Sequence, residues 1–424
     1  MAERRRGVSA PAWLEDLRRQ GAEQLNELGL PTTRLEDWRY TNVAPIAETR
    51  WTPGDARKDG VSRQELETLC HPVFACRLFV FVNGRFAADL STLRVGTPEV
   101  AVHSLAQVLE EEPDALRGVL GEQALAKERA FTAWNQRELR DGAVVRIPDG
   151  ADLEEPIHLV FLAEPGDEPT ESHPRILVLA GERSRASVVE DYVSFGEGVS
   201  FTNAVTEIRV APDAELEHVR FQRESADGHH ISALHARLER NARLACHSVS
   251  LGGGLVRNDA TVTLLGEGAE CDLNGIFLGT GRRHVDNHTT IDHAVPHTTS
   301  RELYKGVLDD RSRGIFHGRV IVRPDAQKTD ARQSSRNLLL SRGAEIDTKP
   351  QLEIHADDVK CSHGSTIGQL DPDALFYLRA RGITEDDARR LLTRAFVSEV
   401  TRSLRFEPLR VRIEEQLVEL LEGA

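Results

Sequence analysis

The fold is decided by residues 212–273, in which one short pattern occurs three times: PDAELEHV (212–219), ERNARLACHSV (239–249) and GEGAECDL (266–273). In each copy an alanine follows a polar turn and stands two positions before a residue of a strand-like run. Apolar and polar residues alternate between the copies, as in SALHARLE (232–239), which is the pattern of a half-buried strand. The region therefore reads as strands joined by short turns.

The spacing of the copies indicates which kind of β structure they form. With an earlier copy, ERSRASVV (182–189), the alanines are separated by 28, 28 and 27 residues: Ala186, Ala214, Ala242 and Ala269. Ala344, two before Ile346, repeats the form further on. A fixed period favours the stacked coils of a solenoid, whereas sandwich strands recur about every 8–12 residues without a longer period. We predict a right-handed parallel β-helix with the four alanines stacked along one edge.

Helical patterns flank this core and suggest three domains. Residues 1–140 are predicted to form a mainly helical N-terminal domain, which also holds a short strand, Leu78–Val82, turning at Asn83-Gly84. The β-helix core is assigned to residues 141–371. Residues 372–424 form the predicted C-terminal helical domain, and a solenoid needs such caps at its ends.

The C-terminal domain is predicted to hold two amphipathic helices. Thr384 followed by Asp387 is a capping pattern for the first of them. Its expected apolar stripe consists of Ala388, Leu391, Leu392, Ala395, Phe396 and Val400. The stripe of the second helix consists of Ile413, Leu417, Leu420 and Leu421. We expect both stripes to be buried against the core. The alternative is that they form a surface that binds a partner protein.

Composition excludes several classes of function. The net charge of −15 argues against a nucleic-acid or anionic-membrane partner, and the single basic run, Arg4 to Arg6, reads as a solvated terminus. Five scattered cysteines, with no apolar leader and no spanning segment, predict a soluble protein of the reducing cytoplasm. No Gly-Lys pair occurs, so a P-loop is absent, and no hydrolase, zincin or dinucleotide motif is present. We expect no catalytic residues.

The stretch KPQLEIHADDVKCSHGSTIGQLD (349–371) holds the first candidate site. Cys361 and His363 stand two apart in a predicted strand, so their side chains share one face. Thiolate and imidazole both bind iron, zinc and iron–sulfur clusters. Two ligands do not close a tetrahedral site, so another segment or chain would supply the rest. The plainer alternative is a buried thiol beside a hydrogen-bonded imidazole.

A rival metal site lies in HVDNHTTIDH (284–293). His284, Asp286, His288 and Asp292 share strand parity, and His293 and His297 are close in sequence. Such a face could hold a divalent metal in a β-helical metal-dependent enzyme. The alternative is a polar, hydrogen-bonded outer face of a coil.

Six stretches, in order along most of the chain, resemble the SufB/SufD family of iron–sulfur cluster assembly scaffold proteins. They are GLPTTRLEDWRYTNV (29–43), VFVNGRF (80–86), FTAWNQRELRDGAVVRIPDG (131–150), HVDNHTTIDHAVPHTTSRELYKGVLDD (284–310), IFHGRVIVRPDAQKTDARQSSRNLLLS (315–341) and LFYLRARGI (375–383). The stretch 349–371 resembles the C-terminal core motif of that family, and the resemblance implies a β-helix.

Within the family the chain resembles the SufD type. Where the SufB type has a Glu-His-Glu run, this chain has Cys361-Ser362-His363, and Asn337 stands where SufB carries its cluster-building cysteine. The resemblance implies a scaffold subunit that pairs with a SufB-like chain through the core. It also implies docking of a SufC-like ABC ATPase on the C-terminal helices. No cofactor is expected on the isolated chain. His363, with Cys361 as a second candidate, would meet a nascent iron–sulfur cluster at the partner interface, and whether the complex binds reduced flavin stays open.

Overall fold

Two parallel sheets wound from one chain make up the centre of the molecule. The computed structural model describes residues 11–54, 60–70, 78–92, 101–124 and 126–422. The Arg4 to Arg6 run and Cys76 lie outside these residues. The other four cysteines are free thiols. Successive long strands alternate between the sheets, and each pairs in parallel with the strand two further along the chain. This confirms the predicted parallel β-solenoid.

The strands of the first sheet, here sheet I, are β1 (Thr52–Pro53), β4 (Ala101–Ser104), β5 (Gly142–Ile147), β7 (Thr170–Ser172), β8 (Arg175–Ala180), β10 (Ser200–Val210), β12 (Gly228–Leu238), β14 (Leu255–Leu264), β16 (His284–His293), β18 (Arg313–Val322) and β20 (Glu345–Ile354). The strands of sheet II are β2 (Leu78–Val82), β3 (Arg85–Phe86), β6 (Ile157–Ala163), β9 (Arg185–Ser194), β11 (Glu215–Arg223), β13 (Arg243–Ser250), β15 (Glu270–Gly279), β17 (Thr299–Leu308), β19 (Asp330–Leu339) and β21 (Lys360–Gly368). The predicted N-terminal domain thus contributes strands to both sheets, because β2 pairs with β6 and β4 pairs with β5. The Asn83-Gly84 turn joins β2 to β3 with positive φ at both residues, as predicted for a tight hairpin.

The strand register corrects the predicted alanine column. Glu215 pairs with Arg243, and Arg243 with Glu270, so Ala214, Ala242 and Ala269 do stack just before these strands, and all three are buried. Ala186 is out of register by two positions, because it pairs with Leu216 rather than with Ala214. The step from Arg185 to Glu215 is 30 residues rather than 28, since the turns between coils vary in length. Ala344 precedes β20 and so belongs to sheet I instead.

The interior of the solenoid is apolar near its start and partly polar further along. Alternate residues of each strand point inward, and the largest buried cluster, which includes Val188, Leu216 and Leu244, fills the early coils. Several polar groups inside are paired. Glu190, for example, accepts hydrogen bonds from Thr206 and Tyr192 at 2.8 Å each and lies 2.9 Å from Nε2 of His218. Such pairing is what makes a buried carboxylate tolerable.

Helices cover the outer faces of both sheets. They are α1 (Ala12–Leu28), α2 (Ala44–Ala47), α3 (Arg63–Cys70), α4 (Leu105–Glu111), α5 (Ala130–Arg137), α6 (Pro372–Arg379), α7 (Glu385–Thr401) and α8 (Glu407–Glu422), with short 3₁₀ turns at Glu36–Trp38, Pro113–Leu116 and Ala126–Glu128. The N-terminal region packs on sheet I, for example through Phe131 and Trp134 against Phe201. Helices α7 and α8 pack on sheet II through residues such as Val397 and Ile413.

The capping pattern of α7 is confirmed, but part of its predicted stripe is wrong. The Thr384 hydroxyl accepts a hydrogen bond from the backbone N–H of Asp387 at 3.1 Å. Leu391 and Ala395 are exposed, whereas Thr393 and Val397 are buried. The buried face of α7 is therefore rotated away from Leu391, because the helix must place Val397 and Val400 on sheet II.

Candidate functional site

The last coil of the solenoid, formed by β20 and β21 and here called the terminal coil, ends without a covering strand. Among the described residues no strand pairs with the outer edge of β20 or of β21. Nearly all of β21 is exposed, and β20 is at most half-buried, unlike the strands of the coils before them. The inward-facing residues of this coil, including Ile354 and Ile367, therefore meet solvent instead of a further coil. An open edge of this kind presents unpaired backbone groups to another chain.

Cys361 points into the solenoid. Its register partner on β19 is the fully buried Ala331, and its side chain packs against the apolar cluster that contains Val320, Val322 and Ala356. Burial raises the pKa of the Cys361 thiol above its ordinary value. A thiol held neutral in apolar surroundings is a poorer ligand than an exposed thiolate.

His363 lies two residues further along β21, on the same inward-facing side but less enclosed. It pairs in register with Gln333 and is exposed at the open end of the solenoid. Within the described part of the chain the imidazole has no hydrogen-bond partner. Both of its nitrogens are therefore free for an incoming group. The predicted pair does share one face, and the structure separates a half-buried thiol from an accessible imidazole.

A ladder of polar side chains leads from the interior to His363. Gln333, beside His363, donates a hydrogen bond from Nε2 to Glu302 at 2.6 Å. Glu302 occupies the same column one coil earlier. Burial raises the pKa of Glu302 to about 7, although the bond from Gln333 acts in the opposite direction. A carboxyl group that changes charge near neutral pH thus lies behind the open end.

Asn337 stands two inward columns further along β19 than Gln333. It is buried, pairs in register with Ile367 and donates from Nδ2 to the hydroxyl of Ser335 at 3.0 Å. Across the coil, Ser365 donates to the hydroxyl of Thr348 at 2.8 Å. These residues line the inside of the terminal coil with neutral polar groups rather than thiols.

The rival constellation on β16 shares one outward face, as predicted, but its members have other partners. Asp286 accepts hydrogen bonds from Thr41 at 2.6 Å and from Arg257 at 2.8 Å. Burial would raise the pKa of Asp286, yet His288 and Arg257 hold it below its ordinary value. The Thr41 hydroxyl also lies 2.9 Å from Nε2 of His284. The segment around Thr41 covers this part of the face, and the Thr41 hydroxyl contacts both His284 and Asp286.

The remaining predicted ligands near this face are dispersed. Asp292 forms an ion pair with Arg323 at 2.6 Å. His293 is buried, with its ring nitrogens 2.7 Å from Thr298 and 2.9 Å from Ser300. Of the predicted ligands only His288 lies in a group of three metal-binding side chains in the described regions.

That group joins His288 with two residues that the sequence reasoning did not consider, Asp37 and His317. Asp37 stands inside the stretch LEDWRYTN (35–42), which the sequence analysis used only for its resemblance to the family. The alternating pattern of β18 could have pointed to His317. In this strand the run HGRV (317–320) follows a buried start, so His317 falls on the outward-facing side.

The C-terminal helices carry an exposed apolar patch, defined here by Phe376, Tyr377 and Leu391. Phe376 is 74% exposed, which is the largest exposed fraction among the large apolar side chains of the described regions. Arg381 stacks on the ring of Tyr377 at 3.5 Å. The opposite face of α7 contacts the solenoid, where Lys305 donates to the backbone oxygen of Phe396 at 2.6 Å. Leu391 therefore lies on the face of α7 that points away from the solenoid, and Phe376 and Tyr377 on α6 are exposed to solvent. In the described residues, none of the helices combines the length and the apolar character needed to cross a membrane.

Comparison with known proteins gives matches over nearly the whole chain. Residues 161–396 match the family described as "SUF system FeS cluster assembly, SufBD core domain", and residues 6–159 match "SufBD protein N-terminal region". An iron–sulfur cluster assembly SufBD family protein of Synechocystis is 33% identical over 94% of this chain and 89% of its own. The iron–sulfur cluster assembly protein SufD of Escherichia coli is 32% identical over 95% and 92%, and that of Bacillus subtilis is 26% identical over 97% and 94%.

Proposed function

Because this chain belongs to the SufBD family of the Suf iron–sulfur cluster assembly system, we propose that it acts as a SufD-type subunit of a cluster assembly scaffold. In this role it pairs with a SufB-like chain and a SufC-like ATPase and performs no catalysis itself. Relatives named SufD align with it over nearly their full length. Asn337 in place of a cysteine, and Cys361-Ser362-His363 in place of an acidic run, favour the supporting subunit over the one that builds the cluster.

The terminal coil is the proposed pairing surface. Two adjacent strand edges, one from each sheet, lie open there, and a second solenoid of the same width could continue both sheets at once. Main-chain hydrogen bonds would supply affinity, and Ile354 and Ile367 would lose exposed apolar surface. This open coil is the observation that supports the proposal best, since it explains why an inward-facing histidine is accessible.

His363 is the proposed contribution of this chain to the nascent cluster. An accessible imidazole without a hydrogen-bond partner can bind iron through a neutral nitrogen, which leaves the cluster less negatively charged than a thiolate would. The partner chain would supply the principal thiol. Cys361 is the weaker candidate, because its side chain packs in an apolar cluster and burial raises its pKa.

The SufC-like ATPase is proposed to dock on the apolar patch of α6 and α7. An exposed apolar patch is typical of an interaction site. Helix α7 is tied to sheet II through Lys305, which also pairs with Glu399 at 2.7 Å. Movement of a docked ATPase would thus reach the solenoid, and through it the terminal coil.

The test compares three variants of the co-expressed complex: His363→Ala, Cys361→Ser and, as a matched control, His355→Ala. His355 is exposed and directly follows β20, so its loss reproduces the removal of an imidazole from the same coil. We expect His363→Ala to leave folding and co-purification intact while lowering the iron and acid-labile sulfide recovered per complex. Cys361→Ser should have a smaller effect, and His355→Ala none. A His363→Ala complex that assembles and transfers clusters at the unmodified rate would make this chain a structural adaptor only.

A further inference from the structure

A second group of side chains of metal-binding types lies on the outer face of sheet I, whereas Cys361 and His363 belong to sheet II. His288 on β16 and His317 on β18 are direct register partners, and their rings meet edge to face with centroids 4.8 Å apart. Asp37 reaches them from the 3₁₀ turn Glu36–Trp38. One ligand atom from each of the three residues lies within 4.8 Å of the other two. Two strands and an N-terminal segment thus converge on one point.

The three residues are positioned by their neighbours. Trp38 lies over the guanidinium of Arg257 at 3.8 Å, and Arg257 donates to the backbone oxygen of Asp37 at 2.7 Å, which fixes the turn that carries the carboxylate. Nε2 of His317 lies 2.8 Å from the side-chain oxygen of Gln351. A nitrogen that donates to this oxygen leaves the lone pair on Nδ1, where a metal can use it.

His288 has the neighbour that ligating histidines commonly have. Its Nε2 lies 3.0 Å from Oδ1 of the buried Asp286. In the described part of the chain that oxygen has no other hydrogen-bond partner. A carboxylate beside one ring nitrogen orients the imidazole and makes the other nitrogen a stronger donor to metal.

The charges around the group favour a cation. Three nearby cations are paired with carboxylates: Arg257 with Asp259, Arg319 with Glu353 and Lys349 with Glu36. A fourth, Arg39, also lines the cavity and lies over the ring of Tyr40. Asp37, by contrast, is exposed and has no ion-pair partner among the residues that the structure describes. A cavity of about 340 Å³, lined by Asp37, His288 and His317 among others, gives room for water beside them.

We propose that Asp37, His288 and His317 bind one divalent transition-metal ion, with water completing its coordination. Two imidazoles and a carboxylate form the ligand set of zinc and of non-haem ferrous iron, and not one that calcium or magnesium prefers. The ion joins the N-terminal segment to two adjacent coils of the solenoid. It therefore fastens the covering layer to the outer face of sheet I, whereas Cys361 and His363 lie on the inward-facing side of sheet II.

The experiment uses untagged full-length protein that carries Cys361→Ser and His363→Ala, so that the terminal coil cannot contribute ligands. After treatment with a chelator the protein is titrated with Zn²⁺, with Co²⁺ as a spectroscopic probe, and anaerobically with Fe²⁺. We expect one ion per chain by elemental analysis and cobalt absorption bands typical of nitrogen and oxygen ligands. Competition between Zn²⁺ and Fe²⁺ then identifies which ion the site prefers.

Asp37→Asn and His317→Gln should each weaken binding by about tenfold or more, and the double variant should abolish it. His103→Gln, which removes an exposed histidine elsewhere, is the matched control and should bind like the parent protein. Asp37→Asn changes an exposed side chain that has no ion-pair partner in the described ranges of the chain, so the fold, followed by circular dichroism, is expected to survive. Absence of any stoichiometric ion, or unchanged affinity in the double variant, would overturn the proposal.

Discussion

Replacing Glu302 with Gln should change how the stability of the protein depends on pH. Glu302 faces the interior of the solenoid and is 4% exposed. It accepts a hydrogen bond from Gln333, and no cation forms an ion pair with it among the residues that the structure describes. Desolvation therefore dominates, and burial raises the pKa of Glu302 to about 7 from an ordinary value of 4.5.

The sign and size follow from proton linkage. The folded state holds the proton of Glu302 more tightly than the unfolded state, so the associated stability is complete below pH 4.5 and is lost as the pH rises through 7. A difference of about 2.5 pKa units, at ~1.36 kcal/mol per unit, corresponds to about 3 kcal/mol. Glutamine keeps the shape of the glutamate side chain and stays neutral at every pH. The Glu302→Gln protein therefore does not lose this stability as the pH rises.

The assay is urea unfolding of both proteins at pH 4.5, 6 and 8, followed by tryptophan fluorescence and circular dichroism. We expect Glu302→Gln to become progressively more stable than the parent as the pH rises, with the difference growing by about 3 kcal/mol. Other titrating groups are common to both proteins and cancel. Glu345→Gln, which removes a carboxylate at an exposed position, is the matched control. Parallel stability curves for Glu302→Gln and the parent protein would refute the reasoning.

Three further outcomes are expected. Glu207→Gln should destabilise the fold by roughly 3–5 kcal/mol, because it leaves the buried Arg175, now paired with it at 2.6 Å, as an uncompensated charge; a melting temperature that is unchanged would contradict this. Thr384→Ala should cost about 1 kcal/mol through loss of the α7 cap, visible as faster hydrogen exchange in the first turn of that helix. Phe376→Glu should weaken capture of a SufC-like ATPase while Ile367→Lys weakens capture of a SufB-like chain, each without affecting the other partner; equal effects on both would show that the two surfaces had been misassigned.

The solenoid could be predicted because each of its coils has the same corner, which selects the same kind of residue. Each coil must turn at a corner too tight for a large side chain, so Ala214, Ala242 and Ala269 recur there and are visible without any structure. Ala186 misled the prediction because turn lengths outside the core are not constrained, and one step of 30 residues moved it two places. Leu391 misled it because helical periodicity shows that a face is apolar without showing which side of the helix meets the sheet.

The relative positions of the candidate residues could be predicted only where those residues are close together in the sequence. Cys361 and His363 share a strand, and the spacing alone placed them on one side. Their different accessibility depends on the open end of the solenoid, which is not encoded in that spacing. Asp37 and His288 are 251 residues apart in the chain, so only the packing of the N-terminal segment on sheet I brings them together.

The two ends of the solenoid differ, and this limits the number of chains that can join. At the start, the sheets finish in short antiparallel strands, β3 of two residues and β4 of four, which offer little to a newcomer. Within the residues that the structure describes, only the far end carries long free edges. When two such ends meet, both are consumed and no template is left for a third chain, so growth terminates at a pair. A solenoid with two open ends would instead add copies head to tail and form fibres. For the proposed pairing, the closed start and the open finish of the solenoid therefore favour two solenoid chains.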